Sequence, residues 1–302
     1  MTRTVDIGGY KVGAVWLAPM AGYTDIAFRE LCKSYGAGLT VSEMVSVRGL
    51  MYGSVNTAPL MRLADSEKPS CIQLFGSEPD DFARVADKLD CDMIDINMGC
   101  PMPKIVKNGD GSALLDAPDK AAAIVRALIR ATGKPVTVKT RLGRRNGENT
   151  AARLLERVVE AGAAAVTVHG RYAEQRYTGV CDTDAVKALD RLPVPVVLSG
   201  DVDRGNISER LGRFSAVAVG RAALGDPAIF CGGSVPPETA AREHMRLLVK
   251  YFDDRYAVNQ ARKFFVHYFK GADGGKALRA AVNVATTADD VFSALDKFAA
   301  RG

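Results

Sequence analysis

A chain of 302 residues, 47% hydrophobic and 25% charged, has the length for one large domain, or for a barrel-sized domain with a small companion. The net charge of +5 leans basic, which is compatible with a nucleic-acid partner without requiring one. No apolar run reaches the length of a bilayer span, the start "MTRTVDIGGYKVG" lacks the apolar stretch of a secretory signal, and the six cysteines and three histidines are scattered, which argues against a membrane protein, a structural metal site and a disulfide framework. A cytoplasmic enzyme without metal is the expectation, with a monomer favoured.

Short apolar runs then alternate with amphipathic or Ala-rich segments. The runs are "AVWLAPM" (14–20), "GLTVSEM" (38–44), "PSCIQLFG" (69–76), "CDMIDIN" (91–97), "KPVTVKT" (134–140), "AAAVTVHG" (163–170), "PVPVVLSG" (193–200) and "SAVAVGR" (215–221). Apolar residues follow one another instead of alternating, as in parallel strands covered on both faces. Helix-like stretches lie at 24–35, 79–89, 118–131, 150–161, 182–190 and 203–211, with Thr24, Asp182 and Asp203 as N-cap candidates and Gly133 and Gly162 at helix ends. Eight βα units in about 235 residues predict an α/β fold, a (β/α)8 TIM barrel. A doubly wound sheet would place G-x-G-x-x-G after the first strand, and none is there. "CGGSVPPET" (231–239) reads as a linker, and the residues beyond it read as amphipathic helices. The chain divides into a catalytic barrel over 1–235 and a small all-helical domain over 238–302.

A barrel of this kind works at the C-terminal ends of its strands. Pro19, Met20 and Ala21 follow the first run; Gln73 lies in the third; Asn97 ends the fourth, with Cys100 just beyond. Lys139 and Arg141 end the fifth run, His169 ends the sixth with Arg171 following, Ser199-Gly200-Asp201 end the seventh, and Gly220-Arg221 end the eighth. The turns after the last two strands suit a phosphate, through backbone N–H groups and the Arg221 charge. Gln73 and Asn97 suit a heterocycle that needs paired donors and acceptors. Lys139 reads as a fixed cation beside an anionic intermediate or reduced cofactor, as a Schiff-base lysine, or as a rim lysine reaching for water. Cys100, displayed between Gly99 and Pro101, reads as a nucleophile, a proton donor or a bystander.

"APMAGYTDIAFR", "IQLFGSEP", "DINMGCPMPKIVKNGDGSALL", "VTVKTRLG", "VTVHGR" and "VGRAALGDPAIF", in this order from about residue 17 to 230, resemble the dihydrouridine synthase family, flavin enzymes that reduce particular uridines of tRNA. The resemblance implies FMN across the barrel mouth, its phosphate on Ser199, Gly200, Asp201, Gly220 and Arg221 and its ring against Pro19, Met20 and Ala21. Gln73, Lys139 and His169 would hold the flavin. NADPH (or NADH) would be the reductant, hydride would reach C6 of uracil, and Cys100 would protonate C5. Asn97 would orient the uracil, and Arg141 and Arg171, with Arg144, Arg145 and Arg176, would take RNA phosphates. One departure is Ser199, where the family usually has Asn; others are Tyr172 and Ala173 after His169.

Rival readings remain open on sequence grounds. A flavin barrel reducing a free pyrimidine, of dihydroorotate or dihydropyrimidine type, would use similar chemistry but needs neither a basic mouth nor a helical tail. An aldolase-type barrel would use Lys139 as a Schiff base. A non-catalytic RNA-binding barrel would have no use for Cys100, Lys139 and His169.

Overall fold

The computed structural model describes residues 3–148 and 150–300. Two short strands, β1 (Thr4–Ile7) and β2 (Tyr10–Gly13), form an antiparallel hairpin that the apolar runs did not announce. Only one face of the hairpin is buried, so each strand contributes just one or two apolar residues. Val5, Ile7 and Val12 plug the N-terminal end of a barrel, packing with Trp16, Leu39 and Met93 in its interior.

The barrel strands are β3 (Val15–Leu17), β4 (Leu39–Thr40), β5 (Met44–Ser46), β6 (Cys71–Phe75), β7 (Met93–Met98), β8 (Val136–Arg141), β9 (Ala165–His169), β10 (Val196–Ser199) and β11 (Ala216–Val219). They pair in parallel in the order β4-β3-β11-β10-β9-β8-β7-β6-β5. The edge strands β4 and β5 are successive pieces of one strand, interrupted at residues 41–43. Across that interruption Ser42 donates its N–H to the Cys71 carbonyl (3.1 Å), and its hydroxyl accepts from the Gln73 N–H (2.9 Å). The two edges of the sheet therefore meet, and the sheet closes as the predicted eight-stranded (β/α)8 barrel.

Alternation along the strands separates two cores. On β7, Ile94, Ile96 and Met98 face outward against Ile124, Val125 and Leu128 of the helix Pro118–Thr132. Met93, on the opposite face, packs inside the barrel with the hairpin. The residues at the C-terminal ends of this inner face, Asp95 and Asn97 among them, belong to the mouth.

Two of the expected helix caps move. Asp25, not Thr24, caps the helix Ile26–Ser34 by accepting from the Phe28 N–H (2.9 Å), because the Thr24 hydroxyl is turned back to the backbone of Met20. Asp203 caps a turn instead of a helix: its carboxylate accepts from the N–H groups of Gly205 and Asn206, and the helix starts at Ile207. Asp182 and Gly133 act as expected, the first as an N-cap and the second at φ 66° past a helix end.

Four helices follow the barrel: Pro237–Tyr251, Asp254–Tyr268, Gly275–Val284 and Ala288–Ala299. They dock on the helix Ile26–Ser34, where Phe28 meets Phe264 and His244 at centroid distances of 4.8 and 5.3 Å. Polar ties fix the same joint at the mouth. Lys263 donates to the Gly22 carbonyl, Tyr256 to the Asp25 carboxylate (3.2 Å) and Arg62 to the Tyr251 carbonyl (3.0 Å).

Beneath that joint Arg29 and Glu67 form a fully buried ion pair at 2.8 Å. Glu67 also accepts from the Thr40 hydroxyl (2.7 Å) and the Ala64 N–H (2.9 Å), so the pair ties the first helix to β4 and to the loop before β6. We expect Arg29→Met, which leaves Glu67 buried without its cation, to lower stability by about 3–5 kcal/mol in denaturant unfolding.

Candidate functional site

The mouth is organised by a carboxylate that sequence reading did not single out. Asp95 is buried two residues before Asn97, on the inner face of β7. One oxygen accepts from the Thr137 hydroxyl (2.6 Å) and the other from the Gln73 amide nitrogen (2.7 Å). An aspartate cannot donate when ionised, so it fixes which end of Gln73 is which. The Gln73 carbonyl then accepts from the Asn97 amide (3.0 Å), and the Asn97 carbonyl accepts from the backbone N–H groups of Gly99 (3.2 Å) and Cys100 (2.9 Å). An unbroken chain of hydrogen bonds thus runs from Thr137 on β8 to the Cys100 loop. The signal was legible in "MIDIN" (93–97) as a charged residue in step with Asn97, inside an otherwise apolar strand.

Cys100 is half-buried at the end of this chain. Arg141 holds the same loop from the other side, its Nε donating to the Gly99 carbonyl (3.0 Å), while Ser112 N–H donates to the Cys100 carbonyl (3.0 Å). Gly111, at φ 60°, passes so close behind that a Cβ there would lie 2.8 Å from the Cys100 carbonyl oxygen. This accounts for one of the glycines in the motif. Burial raises the Cys100 thiol above its ordinary value, against the opposing pull of a backbone hydrogen bond and the Arg141 and Lys139 charges, so the group is a protonated thiol at neutral pH.

Lys139 is half-buried on the inner face of β8, and its ammonium makes no hydrogen bond or ion pair among the described residues. Burial and the neighbouring Arg141 pull it down to about 8, with Asp95 and Cys100 opposing. His169 is buried at the end of β9. Its Nε2 lies 3.3 Å from a guanidinium nitrogen of Arg171, and arginine can only donate, so Nε2 is the acceptor and Nδ1 carries the proton. Burial, followed by the charges of Lys139, Arg141, Arg171 and Arg221, takes His169 down to about 2 and keeps it neutral.

Arg141, Arg171 and Asp201 each tie loops of the mouth together. Arg171, 2% exposed, donates to the carbonyls of Thr178 (3.0 Å) and Gly179 (2.7 Å) and to the Asp201 carboxylate (2.6 Å). Arg141, 3% exposed, donates to the carbonyls of Gly99, Tyr172 and Arg176. Both guanidiniums therefore brace mouth loops from within, and Nη2 of Arg141 is left without a partner among the described residues. The Asp201 carboxylate, at φ 48°, turns toward Arg171 and the Cys181 N–H (3.0 Å), with Arg221 at 3.4 Å. Burial works against its charge but is outweighed by those hydrogen bonds and by the two arginines, which hold it below the usual carboxylate range. Its carboxylate belongs to the brace.

The remaining expected cofactor residues do line the rim. Pro19 and Met20 are half-buried and Ala21 exposed, on the turn after β3. Gly220 faces that turn, since a Cβ on it would lie 3.7 Å from the Met20 sulfur. Gly200, at φ 105°, leaves no room for a side chain because His169 would be 2.7 Å from its Cβ. Ser199 is buried beside it, and Arg221 is exposed at the start of the turn after β11. A half-buried ammonium without a protein partner among the described residues, in a mouth that also carries the Gly200 and Gly220 turns and the exposed Arg221, fits an anionic, phosphate-bearing cofactor.

The outer basic residues divide into used and free. Arg144 pairs with Asp116, Lys250 with Glu30 and Arg242 with Asp296, while Arg262 and Arg279 donate to carbonyls inside the helical tail. Arg176, Arg246 and Lys270 carry side chains with no hydrogen bond or ion pair among the described residues, and lie in the loop after β9 and in the tail.

A profile of the family described as dihydrouridine synthase matches residues 16–301. The chain belongs to the dihydrouridine synthase family. Among curated relatives, tRNA-dihydrouridine synthase B of Xanthomonas campestris pv. campestris is 36% identical over 325 residues, covering 96% of each chain. A probable tRNA-dihydrouridine synthase of Rhizobium leguminosarum bv. phaseoli is 35% identical over 270 residues, covering 85% of each. The solved structure of morphinone reductase superposes with a TM-score of 0.57 at 13% identity, over 78% of this chain and 91% of that one, and shares the barrel. Membership in the dihydrouridine synthase family makes the chain an oxidoreductase by class. No helix among the described residues is long and apolar enough to cross a membrane.

Asp95→Ala would remove the acceptor that holds Gln73 and release the chain that ends at Cys100. We expect alkylation of Cys100 by iodoacetamide to quicken several-fold at fixed pH, measured in a Cys231→Ser background because Cys231 is exposed. Lys139 gives a second expectation. Between about 8 and its ordinary 10.5 the unfolded chain binds a proton that the folded one lacks, so this lysine favours folding as pH rises through that window and disfavours it below. Lys139→Met should accordingly raise the unfolding free energy of the cofactor-free protein at pH 7 by roughly 1 kcal/mol.

Proposed function

We propose that this protein is an FMN-dependent tRNA-dihydrouridine synthase, which reduces the C5–C6 double bond of specific tRNA uridines with NADPH as reductant. The observation that carries the reading is the Cys100 thiol, positioned at the mouth by the Asn97 chain and by Arg141 and kept protonated by burial, facing the same opening as the unpartnered Lys139. Names of the relatives and their coverage of the chain support the same activity.

FMN when bound would supply hydride to C6 of the uracil. Its phosphate would rest on the backbone of Ser199, Gly200, Asp201 and Gly220 and on the Arg221 side chain, with its ring against Pro19, Met20 and Ala21. Lys139 would give the ammonium that a negatively charged ring requires, and Gln73 and neutral His169 would complete the polar lining. Negative charge left at C5 of the uracil needs a proton. Cys100 supplies it from sulfur, and its raised proton affinity keeps the thiol loaded. Asn97, whose amide already holds the Cys100 loop and Gln73, sets the acid's position. A stacked base cannot reach a barrel floor, so the target uridine must be turned out, at a cost of a few kcal/mol. Free cations such as Arg176, Arg246 and Lys270 would meet the RNA backbone, which makes binding salt-dependent.

Incubation of purified protein, FMN and NADPH with tRNA from cells unable to make dihydrouridine tests this directly. Mass spectrometry should show a uridine gaining two hydrogens, with Cys100→Ala at least about 100-fold slower. The wild-type rate should fall as pH rises through the Cys100 value, above that of an ordinary thiol, because the acid form is lost there. Turnover of a free pyrimidine with none of tRNA would overturn the proposal.

A further inference from the structure

The loop after β9 is braced in an unusual way. Arg141 donates to the carbonyls of Tyr172 and Arg176 (3.1 and 2.8 Å), and Arg171 to those of Thr178 and Gly179 (3.0 and 2.7 Å). Arg176 is held at φ 50°, where a residue with a side chain stays only when its surroundings keep it there. Two buried guanidiniums thus fix the backbone on both sides of one residue, Tyr177, and leave its side chain 61% exposed.

That ring is not simply loose on the surface. Its centroid lies 5.7 Å from the Arg141 guanidinium, 5.3 Å from that of Arg221 and 6.4 Å from the His169 ring, which places it over the rim of the mouth. Val180, three positions on, is 81% exposed, and the Arg176 side chain between the braces has no partner among the described residues. An exposed aromatic face, an apolar neighbour and an unpaired cation on one rigid loop complement a nucleotide in a single strand: a base for the ring and a phosphate for the charge.

We infer that the 176–180 loop is an RNA-docking tip, on which Tyr177 stacks an unpaired base beside the target uridine and Arg176 takes an adjacent phosphate. The inference rests on the proposed tRNA activity. A target base turned out of its stack leaves neighbouring bases without a partner on one face, and a fixed aromatic ring at the rim supplies that face. The flanking guanidiniums polarise the ring and favour an anionic strand over a neutral ligand. Rigidity matters here, because the loop is already ordered when the strand arrives.

The test compares holoenzymes carrying Tyr177→Ala, Tyr177→Phe and Arg176→Ala with wild type. Direct binding to tRNA lacking dihydrouridine is measured first, then KM and kcat for that tRNA, flavin content, and the rate at which NADPH bleaches the flavin. Tyr177→Ala should weaken tRNA binding and raise KM by about tenfold or more, and Tyr177→Phe should stay within about threefold of wild type. Flavin content and bleaching should not change in either. Arg176→Ala should weaken binding and flatten its salt dependence by about one phosphate contact. Unchanged tRNA binding in Tyr177→Ala overturns the inference. So does a loss confined to flavin content or bleaching, which would assign the ring to the flavin or the nicotinamide. Wild-type protein that binds tRNA through Tyr177 but reduces no uridine would instead overturn the activity and leave the docking tip standing.

Discussion

The mouth of this barrel depends on the buried Asp95 carboxylate. Its two oxygens hold Thr137 and Gln73, Gln73 holds Asn97, and Asn97 holds the Cys100 loop. Each partner is on a strand of the barrel wall or directly beyond one, so their spacing is set by the sheet itself. Burial pushes the carboxyl upward, and its hydrogen bonds and the Lys139 charge push it down. The same burial lowers the proton affinity of Lys139 and raises that of Cys100. One desolvated pocket therefore governs an acid, a base and a thiol together, and altering any of them shifts the others.

Much of the fold was legible. Eight apolar runs gave eight barrel strands, counting β4 and β5 as one, because strands buried on both faces leave a continuous apolar trace. The hairpin Thr4–Gly13 escaped notice because half of its residues face solvent and its strands are short. Helix caps at Thr24 and Asp203 failed for local reasons: the Thr24 hydroxyl is engaged by the Met20 backbone, and the Asp203 carboxylate accepts from the turn that precedes its helix. In the mouth, position along the strands identified Gln73, Asn97, Cys100, Lys139 and His169 as inward-facing. Asp95 was missed although the same two-residue alternation marks it.

Charge was harder to read than position. Arginine in a loop suggests an exposed cation, and Arg141 and Arg171 sit in loops or at strand ends. Both are nevertheless among the most enclosed polar residues, with carbonyls arranged around their planar forks. Sequence shows which residues are basic but not where their donors point, since five N–H groups on one side chain are enough to tie two loops together. The basic tail divides in the same way. Arg262 and Arg279 hold helices to one another, and Lys263 holds the tail to the barrel. Net charge therefore overstates the surface available to an acidic partner.

The hairpin at the N-terminal end has a consequence for traffic. With the inward side chains of its own strands packed together and Val5, Ile7 and Val12 covering the floor, the barrel is open at the mouth end only. Anything that reaches its interior face must enter and leave past the same rim of Cys100, Met20, Arg221 and Tyr177. On the activity proposed here, a dinucleotide reductant and an RNA strand would need that one doorway in turn. Neither could wait inside while the other reacts, so on that activity the order of events would be alternation: the reductant would leave in its oxidised form before the RNA is admitted. Steady-state rates measured against both substrates would then give families of parallel lines in reciprocal plots, a kinetic pattern that begins with a short strand pair at the opposite end of the molecule.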